Sequence, residues 1–84
     1  MKKIKCNSID YRKGFLEVSY NVHDAYINLE VWNIHPDTDI SGESTEFEDI
    51  SEELFTGNTE IEMSIDEAEQ LLKKLKECID SYRK

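Results

Sequence analysis

Glu17 and Glu30 fall opposite one another if the alternating segments around them pair as antiparallel strands. Two carboxylates that close raise one another's proton affinity and can do acid–base work. That chemistry needs a concave pocket, which one face of a small sheet does not offer. The pair is therefore expected to be neutralised by Lys5 or by a partner's arginine, and the chain is read as non-enzymatic. His23 falls in a turn and His35 precedes Pro36, and neither has a second ligand three or four residues on, so the zinc pattern is missing. Cys6 and Cys78 are placed on the inward faces of a strand and a helix, which reads as two buried thiols rather than a disulfide. The sequence holds no Gly-rich phosphate loop, nucleophile elbow or C-x-x-C pair.

Asp37-x-Asp39-x-Ser41-Gly42, followed after five residues by Glu48, has the spacing of an oxygen-ligand loop. Alternate side chains encircle an ion, a glycine makes the sharp turn, and a distal glutamate can bind bidentate. The segment resembles an EF-hand loop over 12 residues, and the resemblance implies calcium held by Asp37, Asp39, Ser41 and Glu48. It departs from that pattern at Ser44, where the family has an apolar residue, and in the strand-like segment that precedes it. Calcium is the only cofactor the sequence raises, and no metal is favoured.

The charge map is the most unusual property of these 84 residues, which carry a net charge of −9. Residues 14–63 contain 13 acids and no Lys or Arg, whereas residues 1–13 are net basic and residues 64–84 are balanced. Glu43, Glu46, Glu48, Asp49, Glu52 and Glu53 form the densest part. Such a tract is either a solvated solubility feature or a surface that meets a basic protein. Direct contact with nucleic acid or an anionic membrane is not expected. No apolar run reaches the roughly 18 residues of a membrane span, and Met1-Lys2-Lys3-Ile4 leads into no signal-peptide core, so a cytoplasmic protein of a bacterium or a phage-infected bacterium is expected.

A single domain over residues 1–84 must position these groups. Leu16, Val18, Tyr20 and Ile27, Leu29, Val31 alternate with polar residues and predict two strands joined by a His23-Asp24 turn. The implied register sets Leu16 against Val31 and Glu17 against Glu30, and turns the apolar set inward. A first strand with Ile4 and Cys6 inward and a last strand over 59–63 complete the sheet. Phe47, Ile50, Leu54 and Phe55 have helical spacing after Thr45 and Glu48, predicting a short helix over about 46–55 that stops at Gly57. Ser64 and Glu67 predict a capped C-terminal helix whose stripe Ile65, Ala68, Leu72, Leu75, Ile79 and Tyr82 covers the sheet. The expected fold is α+β: an antiparallel three- to four-stranded meander, a short helix before the last strand, and the C-terminal helix packed on one face.

Phe15, Tyr26, Trp32 and Ile34 then lie on the outward face, where they either pack beneath the 47–55 segment or form an interface. In composition the chain is similar to the small acidic inhibitors encoded by bacteriophages, of the anti-CRISPR and anti-restriction kinds, and to nuclease-immunity proteins. That resemblance implies an inhibitor that blocks a basic, nucleic-acid-handling partner. Glu43, Glu46, Glu48, Asp49, Glu52 and Glu53 would steer the encounter, and Trp32 or Phe55 would anchor it. The alternatives are a calcium-stabilised module and a small homo-oligomeric bacterial domain.

Overall fold

Four alternating segments form one antiparallel sheet. In the computed structural model, which describes residues 3–42 and 52–84, the strands are β1 (Ile4–Cys6), β2 (Lys13–Tyr20), β3 (Tyr26–Ile34) and β4 (Phe55–Ser64). They stand in the order β1-β2-β3-β4, each antiparallel to the next, and α1 (Ile65–Tyr82) follows. The α+β meander is the fold class expected. Leu16 faces Val31, Val18 faces Leu29, Tyr20 faces Ile27 and Glu17 faces Glu30, as the alternation requires. The connection is longer than the two-residue turn expected from His23-Asp24. It runs over residues 21–25, with Asn21 and Ala25 both at positive φ (68° and 66°) and the Tyr26 amide donating to the His23 carbonyl.

The register divides the sheet into two faces. Ile4, Leu16, Val18, Tyr20, Ile27, Leu29, Val31, Ile61 and Met63 share the first face. Phe15, Glu17, Ser19, Asn28, Glu30, Trp32, Ile34, Glu60 and Glu62 share the second. The buried cluster lies on the second face, where Phe15 is 1% exposed, Ile34 3% and Ile40 1%, with Trp32 and Phe55 packed against them, and Met63 is buried on the first. The expectation that the first face turns inward is met at Met63 and partly at the half-buried Leu16, Ile27, Leu29 and Val31, and fails elsewhere. Val18, Tyr20 and Ile61 remain 46%, 64% and 53% exposed.

A polar segment covers the second face through one apolar residue. After β3, Thr38 donates its amide to the His35 carbonyl, and Ser41 donates both its amide and its hydroxyl to Asp39 Oδ1. The Lys5 ammonium ties the segment to β1 by donating to the Ser41 carbonyl at 3.0 Å. These bonds hold residues 35–42 over the sheet and send Ile40 into the Phe15–Ile34 cluster. The short helix expected over 46–55 falls mostly outside the described residues; Glu52–Leu54 form one 3-10 turn. Phe55 opens β4 and Gly57 lies within it, so Gly57 is not a helix stop. Gly14 is required by close approach instead, since a Cβ there would collide with the Trp32 carbonyl of the neighbouring strand.

The helix is built as expected at its start. Ser64 Oγ accepts from the Glu67 amide at 3.1 Å, and Glu67 Oε1 accepts from the Ser64 amide at 2.8 Å, which completes the capping box. Its packing differs from expectation. α1 has no buried residue, every residue from Leu71 onward is exposed, and Leu72 is 67% exposed. The cause is the junction: Ser64 still pairs with Tyr26 in the sheet, and Ile65 already begins the helix. No residue stands between strand and helix, whereas strand–helix connections in packed α/β units use about 2–6 residues. The Cα radius of gyration is 14.3 Å, against about 12 Å for a compact chain of this length. Cys6 and Cys78, expected to be buried, are free and exposed for the same reason.

Ile40→Ala should cost about 2–5 kcal/mol, a large fraction of the total stability of a domain this small. Urea unfolding followed by Trp32 fluorescence measures it. A loss below about 1 kcal/mol would show that Ile40 is not what closes the core.

Candidate functional site

The second face outside the Phe15–Ile34–Ile40 cluster carries a row of carboxylates. Strand pairing sets Glu17, Glu30 and Glu60 side by side on β2, β3 and β4, and puts Glu62 opposite Asn28 one step further along. Adjacent strands lie about 4.8 Å apart, so the like charges of the row repel unless they are compensated. Compensation comes from Lys3, not from Lys5 as expected. The Lys3 ammonium sits 3.0 Å from Glu17 Oε2 and 5.3 Å from the centre of the Trp32 ring. Asn58 adds a neutral donor, its Nδ2 lying 3.1 Å from Glu30 Oε2 and 3.0 Å from the Val31 carbonyl. Glu62 Oε1 meets His23 Nδ1 at 2.5 Å. Glu60 and Glu62 are classed as exposed and Glu17 and Glu30 as half-buried, so the row opens to solvent toward β4.

Asn28 lies 4% exposed in the middle of this face, and its Oδ1 has no hydrogen-bond partner among the described residues. A buried acceptor left this way is uncommon. Its cross-strand neighbours, Ser19 and Glu62, supply one hydroxyl and one carboxylate.

The other expected site residues are distributed as follows. Trp32 and Phe55 are half-buried against the core, and together with Thr56, Gly57 and Asn58 they line an open depression of about 380 Å³. Glu53 is exposed on the 3-10 turn that leads into β4. Glu43, Glu46, Glu48 and Asp49 lie outside the described residues, as does the side chain of Glu52. A second depression, of about 410 Å³, lies at the Gly14 end of the sheet, with Cys6, Arg12, Leu16, Val31 and Asn33 around it.

In the calcium-like segment, Asp39 is already engaged by Ser41, and those two hydrogen bonds hold its carboxyl below the ordinary value of 3.8. Lys13 and Lys5 add to the effect from a distance. Asp37 Oδ2 stands 3.8 Å from His35 Nδ1. Among the described residues no three His, Cys, Asp or Glu side chains converge as metal ligands, and Glu48 is not among them. Among the described residues no helix is long and apolar enough to cross a membrane.

The row Glu17–Glu30 was readable from the β2–β3 alternation alone. Its extension to Glu60, and the Glu62–His23 contact, depend on how β4 registers with β3. Pairing Ile61 with Leu29 and Met63 with Ile27, apolar with apolar, was the sequence signal for both. Compared with protein-family models, curated proteins and solved structures, the chain matches none.

Two carboxyls should make stability sensitive to acid. Asp39 is held down by Ser41, and Glu67 by its bonds to Ser64, below ordinary values of 3.8 and 4.5. A group with a depressed folded value stabilises the fold above its unfolded value, and that contribution disappears as pH falls through the folded one. The double substitution Asp39→Asn and Glu67→Gln should therefore flatten the loss of stability between about pH 5 and about pH 2. Denaturant unfolding at both ends of the range reads this out. An acid limb as steep as that of the wild type would show that neither contact forms.

Proposed function

We propose that this protein is a small non-enzymatic binding protein that engages a basic protein surface through its carboxylates, in the manner of an inhibitor that occupies a groove otherwise open to nucleic acid. The observation that carries the reading is the carboxylate row of the second face. Glu17, Glu30 and Glu60 stand on adjacent strands, Glu62 follows, and Lys3 bridges Glu17 at the β2 end of the row. Like charges directly opposite destabilise a sheet, and the contacts of Lys3, Asn58 and His23 offset this at Glu17, Glu30 and Glu62 while Glu30 and Glu60 still face one another. A cationic partner would reverse the sign of that term.

The acidic residues between β3 and β4 in sequence add to the chain's negative charge. Residues 14–63 add no Lys or Arg that would compete for a partner's acceptors. Potentials of this kind act mainly on the rate of encounter and on the choice of partner. Trp32 and Phe55, half-buried around their shared depression, offer the apolar rim that a docked arginine or lysine stem would cover. In this reading the partner is a cationic, nucleic-acid-handling protein of a bacterial host, and the inhibitor is phage-type.

Glu60→Gln together with Glu62→Gln should slow association with the partner captured from host lysate about tenfold or more at low salt. Fold stability should hold or rise as repulsion is relieved. Neutralising Glu43, Glu46, Glu48 and Asp49 should act in the same direction, and Glu69→Gln with Glu77→Gln on α1 should act much less. Stopped-flow association across a salt series measures all three. A partner whose on-rate ignores both salt and these charges would overturn the proposal.

A further inference from the structure

Among the described residues, nothing covers two apolar surfaces, the first sheet face and the stripe of α1. On the sheet, Val18, Tyr20 and Ile61 are 46–64% exposed; on the helix, Leu72, Leu75 and Ile79 are 48–67% exposed. A four-carbon side chain carries roughly 130 Å² of apolar surface, so these six alone present on the order of 400 Å². Their neighbours on the two surfaces bring the total toward the roughly 800 Å² per partner of a standard stable interface.

We propose that the occupant of this face is the helix of a second copy: α1 of each chain lies across the first sheet face of the other, in a two-fold dimer. The two surfaces match in length. α1 has 18 residues, about 27 Å of helix, and β3 has nine, about 30 Å of strand. The junction at Ser64–Ile65 keeps α1 off its own sheet and leaves it free to reach another. Exchange is reciprocal, so one contact buries both surfaces twice and closes at two chains. Pairing through the free edge of β4 is disfavoured, because a two-fold axis there would bring Glu60 and Glu62 of both copies together. The dimer leaves the carboxylate face, on the opposite side of the sheet, open to a partner.

Light scattering after size exclusion, on the full chain at about 50 μM, should give twice the 9.9 kDa chain mass. Leu72→Asp and, separately, Val18→Lys should each return the single-chain mass, with Trp32 emission reporting that the second-face core is intact. The wild-type melting midpoint should rise with chain concentration, because folding and association are linked. This measurement holds even where a variant fails to fold. A single-chain mass and a concentration-independent midpoint for the wild type overturn the proposal. So does a folded Val18→Lys dimer, which would mean that the helices pair with each other and not with the sheet.

Discussion

The junction between β4 and α1 governs this molecule. Ser64 does two things at once: it pairs with Tyr26 as the last residue of the sheet, and it caps α1. Each role fixes its backbone, and together they leave no residue that could serve as a turn. A helix that starts in the residue after a sheet ladder ends must leave along a direction the strand sets. The stripe that would cover the first face is carried away from it, and Leu72 and Leu75 stay in water. The chain then closes its core on the opposite side, using the 35–42 segment and the single side chain of Ile40. Among the described residues the core is small: Phe15, Ile34 and Ile40 with Trp32 and Phe55 beside them, and Met63 on the other face, although burial of apolar surface is the main favourable term in folding.

The second face has to accommodate core and charge together. Lys3 shows how: its ammonium meets Glu17 while its position over Trp32 joins the acidic end of the face to the aromatic end. Asn58 bridges Glu30 to the backbone of the same strand, which orients the carboxylate without neutralising it. The remaining charge is carried outward on β4 by Glu60 and Glu62. A free edge strand bearing carboxylates also resists pairing with another edge, so these residues protect β4 whatever they meet.

Sequence reasoning reached the strands, their register and the helix cap because each is a local rule. Alternation fixes which residues share a face, and Ser64 with Glu67 is a four-residue signature. It failed on which face is covered. Apolar content favours the side with Leu16, Val18 and Leu29, but coverage depends on where the next element can travel. The clue was present in the sequence: the capping box follows Met63 directly, so no linker was available for a reversal. Ile40 was missed because it stands alone among Asp37, Thr38, Asp39 and Ser41, where no periodicity can mark it. Alternation alone does not say which N-terminal lysine meets Glu17, because that depends on the register of β1. With Ile4 opposite Leu16, Lys5 falls beside Phe15 and Lys3 lies next to Glu17.

The two faces separate two kinds of interaction that would interfere if they shared a surface. An apolar seam needs dry, complementary contact and is insensitive to salt, whereas a carboxylate row works through long-range potential and weakens as ions screen it. Here the strand pleat does the sorting, since every odd residue from Phe15 to Ser19 points one way and every even residue from Leu16 to Tyr20 the other. A shift of β2 by one residue would exchange the sets, burying Glu17 against aliphatic neighbours and exposing Phe15. Gly14 resists that shift, because any residue bearing a Cβ at its position would strike the Trp32 carbonyl. The identity of one small residue at the start of β2 thus protects the division between the apolar face and the charged one.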